Sequence, residues 1–210
     1  HIDKASATAT LYTGTTPFFH GIPSERFFNT AFLREEFILN DPSKIGNYTD
    51  ETFSPERIRT STLSDEVKIV SGGLGRVYAV APDAQQSIIS AGHAANCAFW
   101  INDRNGKWAT TTYYRDVPAY VEQFNYVRSL SAPVYTPDRY TAIPYLTNDF
   151  SFKRTFARDG RDKFVQFKTT ALVNQEITDV AVEFLDKGLL GRRGVLDMLN
   201  VGYTAGVYLN

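Results

Sequence analysis

The chain has 210 residues, enough for one large domain or one and a half small ones. Its 43% hydrophobic and 14% aromatic content supplies a packed core and excludes a disordered chain. A formal net charge of −1 without a Lys/Arg block gives no field for gathering nucleic acid or an anionic membrane, and no apolar run approaches a membrane span.

The chain opens on small residues, and residues 1–13 read as a helix able to pack tightly on a neighbour. Gly14 is placed to stop it in a left-handed cap, and Pro17 to keep it from resuming. Residues 15–28 read as a loop holding Phe18, Phe19, Phe27 and Phe28, and residues 32–39 as a short helix or extended arm. Residues 40–53 collect Asn, Asp, Pro, Ser and Gly and read as loop. Ser54-Pro55-Glu56 has the form of a helix start, with Ser54 as N-cap. Thr62 with Asp65 caps a further helix, whose Leu63, Val67 and Val70 share one face before Gly72-Gly73 ends it.

Residues 76–81 are a short apolar strand, buried on both faces, and Ile88 and Ile89 begin another short segment. Residues 98–102 and 107–114 flank Asp103-Arg104-Asn105-Gly106, a hairpin turn whose Asn-Gly pair tolerates positive φ. Residues 118–124 form a brief helix, and residues 128–162 an irregular insertion that covers or rims something. Residues 169–188 carry the strongest helix, with Val173, Ile177, Val180, Ala181 and Phe184 as its apolar stripe and Gly188 at its stop. Residues 198–203 are the last strand. This succession favours an α/β layer fold with a mostly parallel sheet. Cys97 is a lone thiol in an apolar setting and has no internal disulfide partner. No signal peptide is visible and the chain begins abruptly, so the ends are expected to be cut.

Thr13-Gly14, Pro17 and His20-Gly21-Ile22 form a pattern with Thr62-Leu63-Ser64-Asp65-Glu66-Val67, Ala91-Gly92-His93, Ala98-Phe99-Trp100, Gly106-Lys107 and Thr111-Thr112-Tyr113-Tyr114. In that order they resemble the alkaline phosphatase superfamily, in its nucleotide pyrophosphatase/phosphodiesterase and PafA-like branch. The resemblance implies a three-layer α/β/α domain, here its N-terminal half. It also implies two zinc ions held by Asp and His that activate a Thr or Ser nucleophile for attack on phosphorus.

The positions that the resemblance assigns to chemistry hold other residues. Lys4 stands where the nucleophile belongs, nine residues before Thr13. A lysine ammonium is a poor phosphate nucleophile and repels zinc. Read without the resemblance, Lys4 is a solvated residue in a first turn, and Thr8 and Thr10 bond back to helix carbonyls. Glu25 stands where a phosphate-binding Asn is usual, Asp83 and Gln85 where a Lys and an Arg are usual, and Val207 where a metal-binding Asp is usual. The family's other ligands fall upstream of His1 or beyond Asn210.

His20 and His93 sit in turns beside glycine, where a ring nitrogen holds a loop. Gly72-Gly73-Leu74-Gly75 precedes a strand and reads as a helix-to-strand turn, not a phosphate loop. Tyr113, Tyr114, Tyr120, Phe124, Tyr126, Tyr135, Tyr140 and Tyr145 suit core and rim packing, or stacking on a sugar or base.

The expectation is therefore a single alkaline phosphatase-like domain over residues 1–210, with an insertion at about 128–162. It assigns no catalytic residue, metal ligand or cofactor. The leading reading is a degenerate, non-catalytic structural or binding module. One alternative is a zinc-dependent phosphatase or phosphodiesterase whose site is completed outside this chain. The other is a glycan- or peptide-binding surface protein. The expected partner is another protein chain or the remainder of the domain, covering unpaired sheet edges. The resemblance places the protein in the periplasm or at the cell surface.

Overall fold

The computed structural model describes residues 3–114, 117–127, 138–140, 152–154 and 162–205. Helix α1 spans Lys4–Thr13, starting at Asp3, whose carboxylate accepts the Ala5 and Ser6 N–H groups at 2.9 and 3.1 Å. It ends at Gly14, whose φ of 66° few other residues tolerate. Pro17 does more than block its continuation. It opens a second short helix, α2 (Pro17–His20), because a fixed φ and a missing N–H suit a first turn. Strands β1 (Arg26–Asn29) and β2 (Arg34–Phe37) pair antiparallel as a side hairpin, which resolves the expected arm as extended and turns the end of the expected loop into strand. Phe37 anchors the hairpin, with its ring 5.3 Å from that of Phe53.

Two local expectations fail for the same reason. Ser54-Pro55 starts no helix but one turn, closed by Ile58 N–H on the Pro55 carbonyl, while Ser54 Oγ donates to Asp41 at 2.7 Å. Helix α3 (Leu63–Val70) forms with the expected capping box, yet its supposed core face lies in solvent, with Leu63 55% and Val70 77% exposed. Ser64 and Asp65 are buried instead, drawn in by hydrogen bonds to distant chain.

The main sheet runs β3-β6-β5-β4-β9, from β3 (Gly46–Asn47), β4 (Val77–Ala81), β5 (Cys97–Ile101), β6 (Trp108–Thr111) and β9 (Met198–Val201). Strand β4 is parallel to both neighbours, whereas β6 is antiparallel to both of its own. The expected α/β fold is present, with pairings divided evenly between the two directions. The hairpin over 97–111 forms as expected, with Gly106 at φ 67°.

Helices α4 (Ala84–Ala91), α5 (Ala119–Val127), α6 (Lys163–Lys168) and α7 (Ala171–Asp186) complete the layers. On one face Tyr78 and Phe99 meet Phe184 of α7, with ring centroids 4.7 and 5.8 Å apart. The whole predicted stripe of α7 is buried. On the other face Ala79, Ala81 and Ala98 leave room for α4, which packs between the sheet and the buried Ala5 and Ala9 of α1. Within the expected insertion, β7 (Asp138–Tyr140) and β8 (Phe152–Arg154) pair antiparallel. Residues 128–137, 141–151 and 155–161 of it lie outside the described residues, as do Tyr135 and Tyr145.

Candidate functional site

Two groups of the motif residues form structural clasps. In the first, buried His20 accepts the Ile22 N–H at Nδ1 (3.1 Å) and meets the Thr10 hydroxyl at Nε2 (3.2 Å). An Nδ1 that accepts must be unprotonated, so His20 is a neutral Nε2–H tautomer, and its burial lowers its affinity for a second proton. This contact ties the end of α2 to the body of α1. Gly21, at φ 78°, passes so close to Arg57 and Arg59 that a side chain has no room.

In the second clasp, Asp65 is the hub. Its Oδ1 accepts the His93 and Ala94 N–H groups, each at 2.8 Å, and its Oδ2 accepts the Thr62 N–H (2.9 Å), the Thr62 hydroxyl (3.0 Å) and His93 Nδ1 (2.9 Å). These bonds outweigh the cost of burial and hold the carboxyl down at about 2. His93 Nε2 reaches the Ile58 carbonyl at 2.9 Å. Gly92, at φ 70°, runs directly against Thr62 and Asp65, where a Cβ would collide. Ser64 adds a link: its Oγ donates to the Ser90 carbonyl and accepts from Asn200 Nδ2 (3.0 Å), joining α3 and α4 to β9. The sequence places both histidines in turn-holding roles, and both hold turns here.

The positions assigned to chemistry converge at the N-terminal ends of α1 and α4. Lys4 Nζ lies 3.9 Å from Asp83 Oδ2. Asp83 occupies the N-cap of α4 but caps nothing with its side chain. It turns instead to Lys168 Nζ, 3.5 Å away, which is held in turn by Asp103 at 2.7 Å. The Lys168 side chain is only 10% exposed. Glu25 faces this group: burial first, then the Asp83 and Asp3 carboxylates, push its carboxyl up, against the pull of Arg26 and Lys4. Gln85 is buried close by in sequence, and its amide finds no hydrogen-bond partner among the described residues. Val207 lies outside the described residues.

Sequence reasoning thus brought Lys4, Glu25 and Asp83 to one place and missed Lys168 and Asp103. These two come from the end of α6 and the β5–β6 turn, and no local pattern connects them. The resulting ladder Lys4–Asp83–Lys168–Asp103 neutralises itself, and Glu25 adds a further carboxylate. A phosphoryl group placed here meets two ammonium groups already paired with carboxylates, and the further carboxylate of Glu25.

The described residues do not fit the two zinc ions that the fold family implies. Thr8 Oγ1 is spent on the Lys4 carbonyl (2.8 Å), and both described histidines have both ring nitrogens engaged. Among the described residues, no group of three or more His, Cys, Asp and Glu side chains is arranged to hold a metal ion. Of the aromatic pairs, Tyr48–Tyr126 and Tyr113–Tyr114 meet at 82° and 75°, edge to face, and offer no flat stacking platform.

Comparison with known proteins places this arrangement in context. The family described as type I phosphodiesterase / nucleotide pyrophosphatase matches residues 3–186. Alkaline phosphatase PhoV of Synechococcus elongatus is 26% identical over 227 aligned positions, covering 98% of this chain and 41% of that protein. Alkaline phosphatase PafA of Elizabethkingia meningoseptica is 27% identical over 135 positions, covering 60% and 25%. A calcium-transporting ATPase of Myroides odoratus is 32% identical over 126 positions, covering 56% and 22%. The crystal structure of wild-type PafA superposes with a TM-score of 0.79 at 22% identity, over 95% of this chain and 43% of that one. The chain spans less than half the length of each of these relatives. With the matched region running from the cap of α1 to the end of α7, this chain belongs to the type I phosphodiesterase / nucleotide pyrophosphatase family.

Proposed function

We propose that this chain is a non-catalytic member of its family, a single domain that keeps the phosphatase scaffold as a structural or binding module. One observation carries this reading. The ammonium of Lys4 stands at the N-terminus of α1, where the family's nucleophile belongs, and is paired into the ladder through Asp83 and Lys168. An ammonium neither attacks phosphorus nor tolerates a neighbouring zinc ion. The test is zinc titration of the purified chain with a generic phosphomonoester and phosphodiester. No zinc-dependent turnover is expected, and turnover that a chelator abolishes overturns the reading.

The names of the relatives favour a second reading, a zinc-dependent phosphoric ester hydrolase completed by sequence outside this chain. Its nucleophile would be Thr8 or Thr10, so loss of turnover in Thr8→Ala or Thr10→Ala, with the fold intact, would select it.

For the module we propose a protein partner, another chain or the remainder of the family's domain, in the periplasm or at the cell surface. The resemblance to exported enzymes supports this location. Among the described residues no helix is long and apolar enough to cross a membrane. A stable lone monomer in size-exclusion chromatography would count against the partner, and recovery in the cytosolic fraction against the location.

A further inference from the structure

We propose that His93 is a proton-operated clasp: as an imidazolium it ties the Ile58 loop to the junction of α3 and α4, and on losing a proton it releases that loop. The inference rests on donors and acceptors. Nδ1 faces Asp65 Oδ2 and Nε2 faces the Ile58 carbonyl, each at 2.9 Å. Neither partner can donate: a carbonyl has no proton, and Asp65 already receives three backbone N–H groups and the Thr62 hydroxyl, which keeps it ionised. Two acceptors therefore require two N–H groups on the ring, and only the cation has both. Neutral His20 shows the contrast, because its partners are one donor and one hydroxyl that can accept.

The surrounding charges support the cation. From α3 comes Asp65, whose hydrogen bond leads in raising the His93 pKa, against the cost of burial. Glu56, just before Ile58, adds to it. The Tyr113 hydroxyl donates to the His93 carbonyl at 3.0 Å, and burial pushes that phenol up to about 12, so it stays neutral. Lys44 and Lys68 share with His93 a cleft of about 520 Å³, but Lys44 lies 3.9 Å from Asp41 and Lys68 donates to Asn96 at 2.8 Å.

When one proton leaves, the carboxylate keeps the remaining N–H at Nδ1, since a charge-assisted bond is the stronger. Nε2 then presents a lone pair to the Ile58 carbonyl, and that contact opens.

The test is a long-range proton–nitrogen NMR spectrum of the histidine rings in the full chain. At about pH 6.5, where an ordinary imidazole is half protonated, His93 should show both nitrogens mostly protonated and His20 only Nε2, with the His93 midpoint above ~6.5. Amide exchange in residues 58–62, corrected for its intrinsic pH dependence, should accelerate above that midpoint. His93→Gln should remove the step, and Asp65→Asn should lower the midpoint; if either fails to fold, the wild-type spectra decide alone. A His93 midpoint at or below about 6.5, or a loss of its proton without faster exchange, overturns the proposal.

Discussion

The clasp around Asp65 and the mouth around Asp83 are built from the same kinds of group, yet they behave oppositely. At the clasp every proton has an acceptor, the carboxylate is nearly buried, and its pKa is held at about 2. At the mouth Lys4 is 76% exposed, Asp83 is half-exposed, and the Glu25 carboxyl is pushed up first by burial and then by neighbouring carboxylates. His20-Gly21 and Ala91-Gly92-His93 of the family pattern lie in the clasps, and the departures Lys4, Glu25 and Asp83 lie around the mouth. Packing and hydrogen bonding constrain the first region whatever the chain does; only chemistry constrains the second.

This comparison breaks most severely at Gly92. Gly92→Ala puts a methyl group against Thr62 and Asp65 at a φ of 70° and should cost about 3 kcal/mol or prevent folding, read from denaturant unfolding. Asp65→Ala should cost about 3 kcal/mol, because it strands a partly buried imidazolium and several N–H groups. A loss below ~1 kcal/mol in either variant would show that the clasp is not a structural keystone.

The pH dependence should separate the regions next. Folding raises the His93 pKa, so its contribution is complete below about 6.5 and disappears as pH rises through the folded value. Folding lowers the Asp65 pKa, so its contribution holds above the ordinary carboxylate range and disappears as pH falls toward about 2. Glu25 runs the other way from Asp65: its raised pKa means stability is lost as pH rises through the folded value. Melting temperature measured against pH should therefore fall on both sides of a plateau.

Smaller effects belong to the mouth. Lys168→Ala should cost about 1 kcal/mol, because the ladder loses its one buried rung. Glu25→Gln should stabilise the neutral-pH protein by ~0.5 kcal/mol through relief of repulsion from Asp83 and Asp3. Destabilisation by Glu25→Gln in thermal melts would mean that the carboxylate has a partner that earns its place there.

Much of this was legible from residues alone, where a feature needs only its near neighbours along the chain. Gly14 stops α1, Thr62 and Asp65 box α3, Asn105-Gly106 turns the hairpin, and one apolar stripe marks α7. Caps, turns and helical stripes are satisfied within a few residues, so composition and spacing specify them. The side of α3 that is buried, the even division of strand pairings, the joining of Lys168 and Asp103 to Lys4, and the charge on His93 had no such local cause. Each depends on partners far apart along the chain, and only closing the long loops between them brings those partners within a hydrogen bond's length.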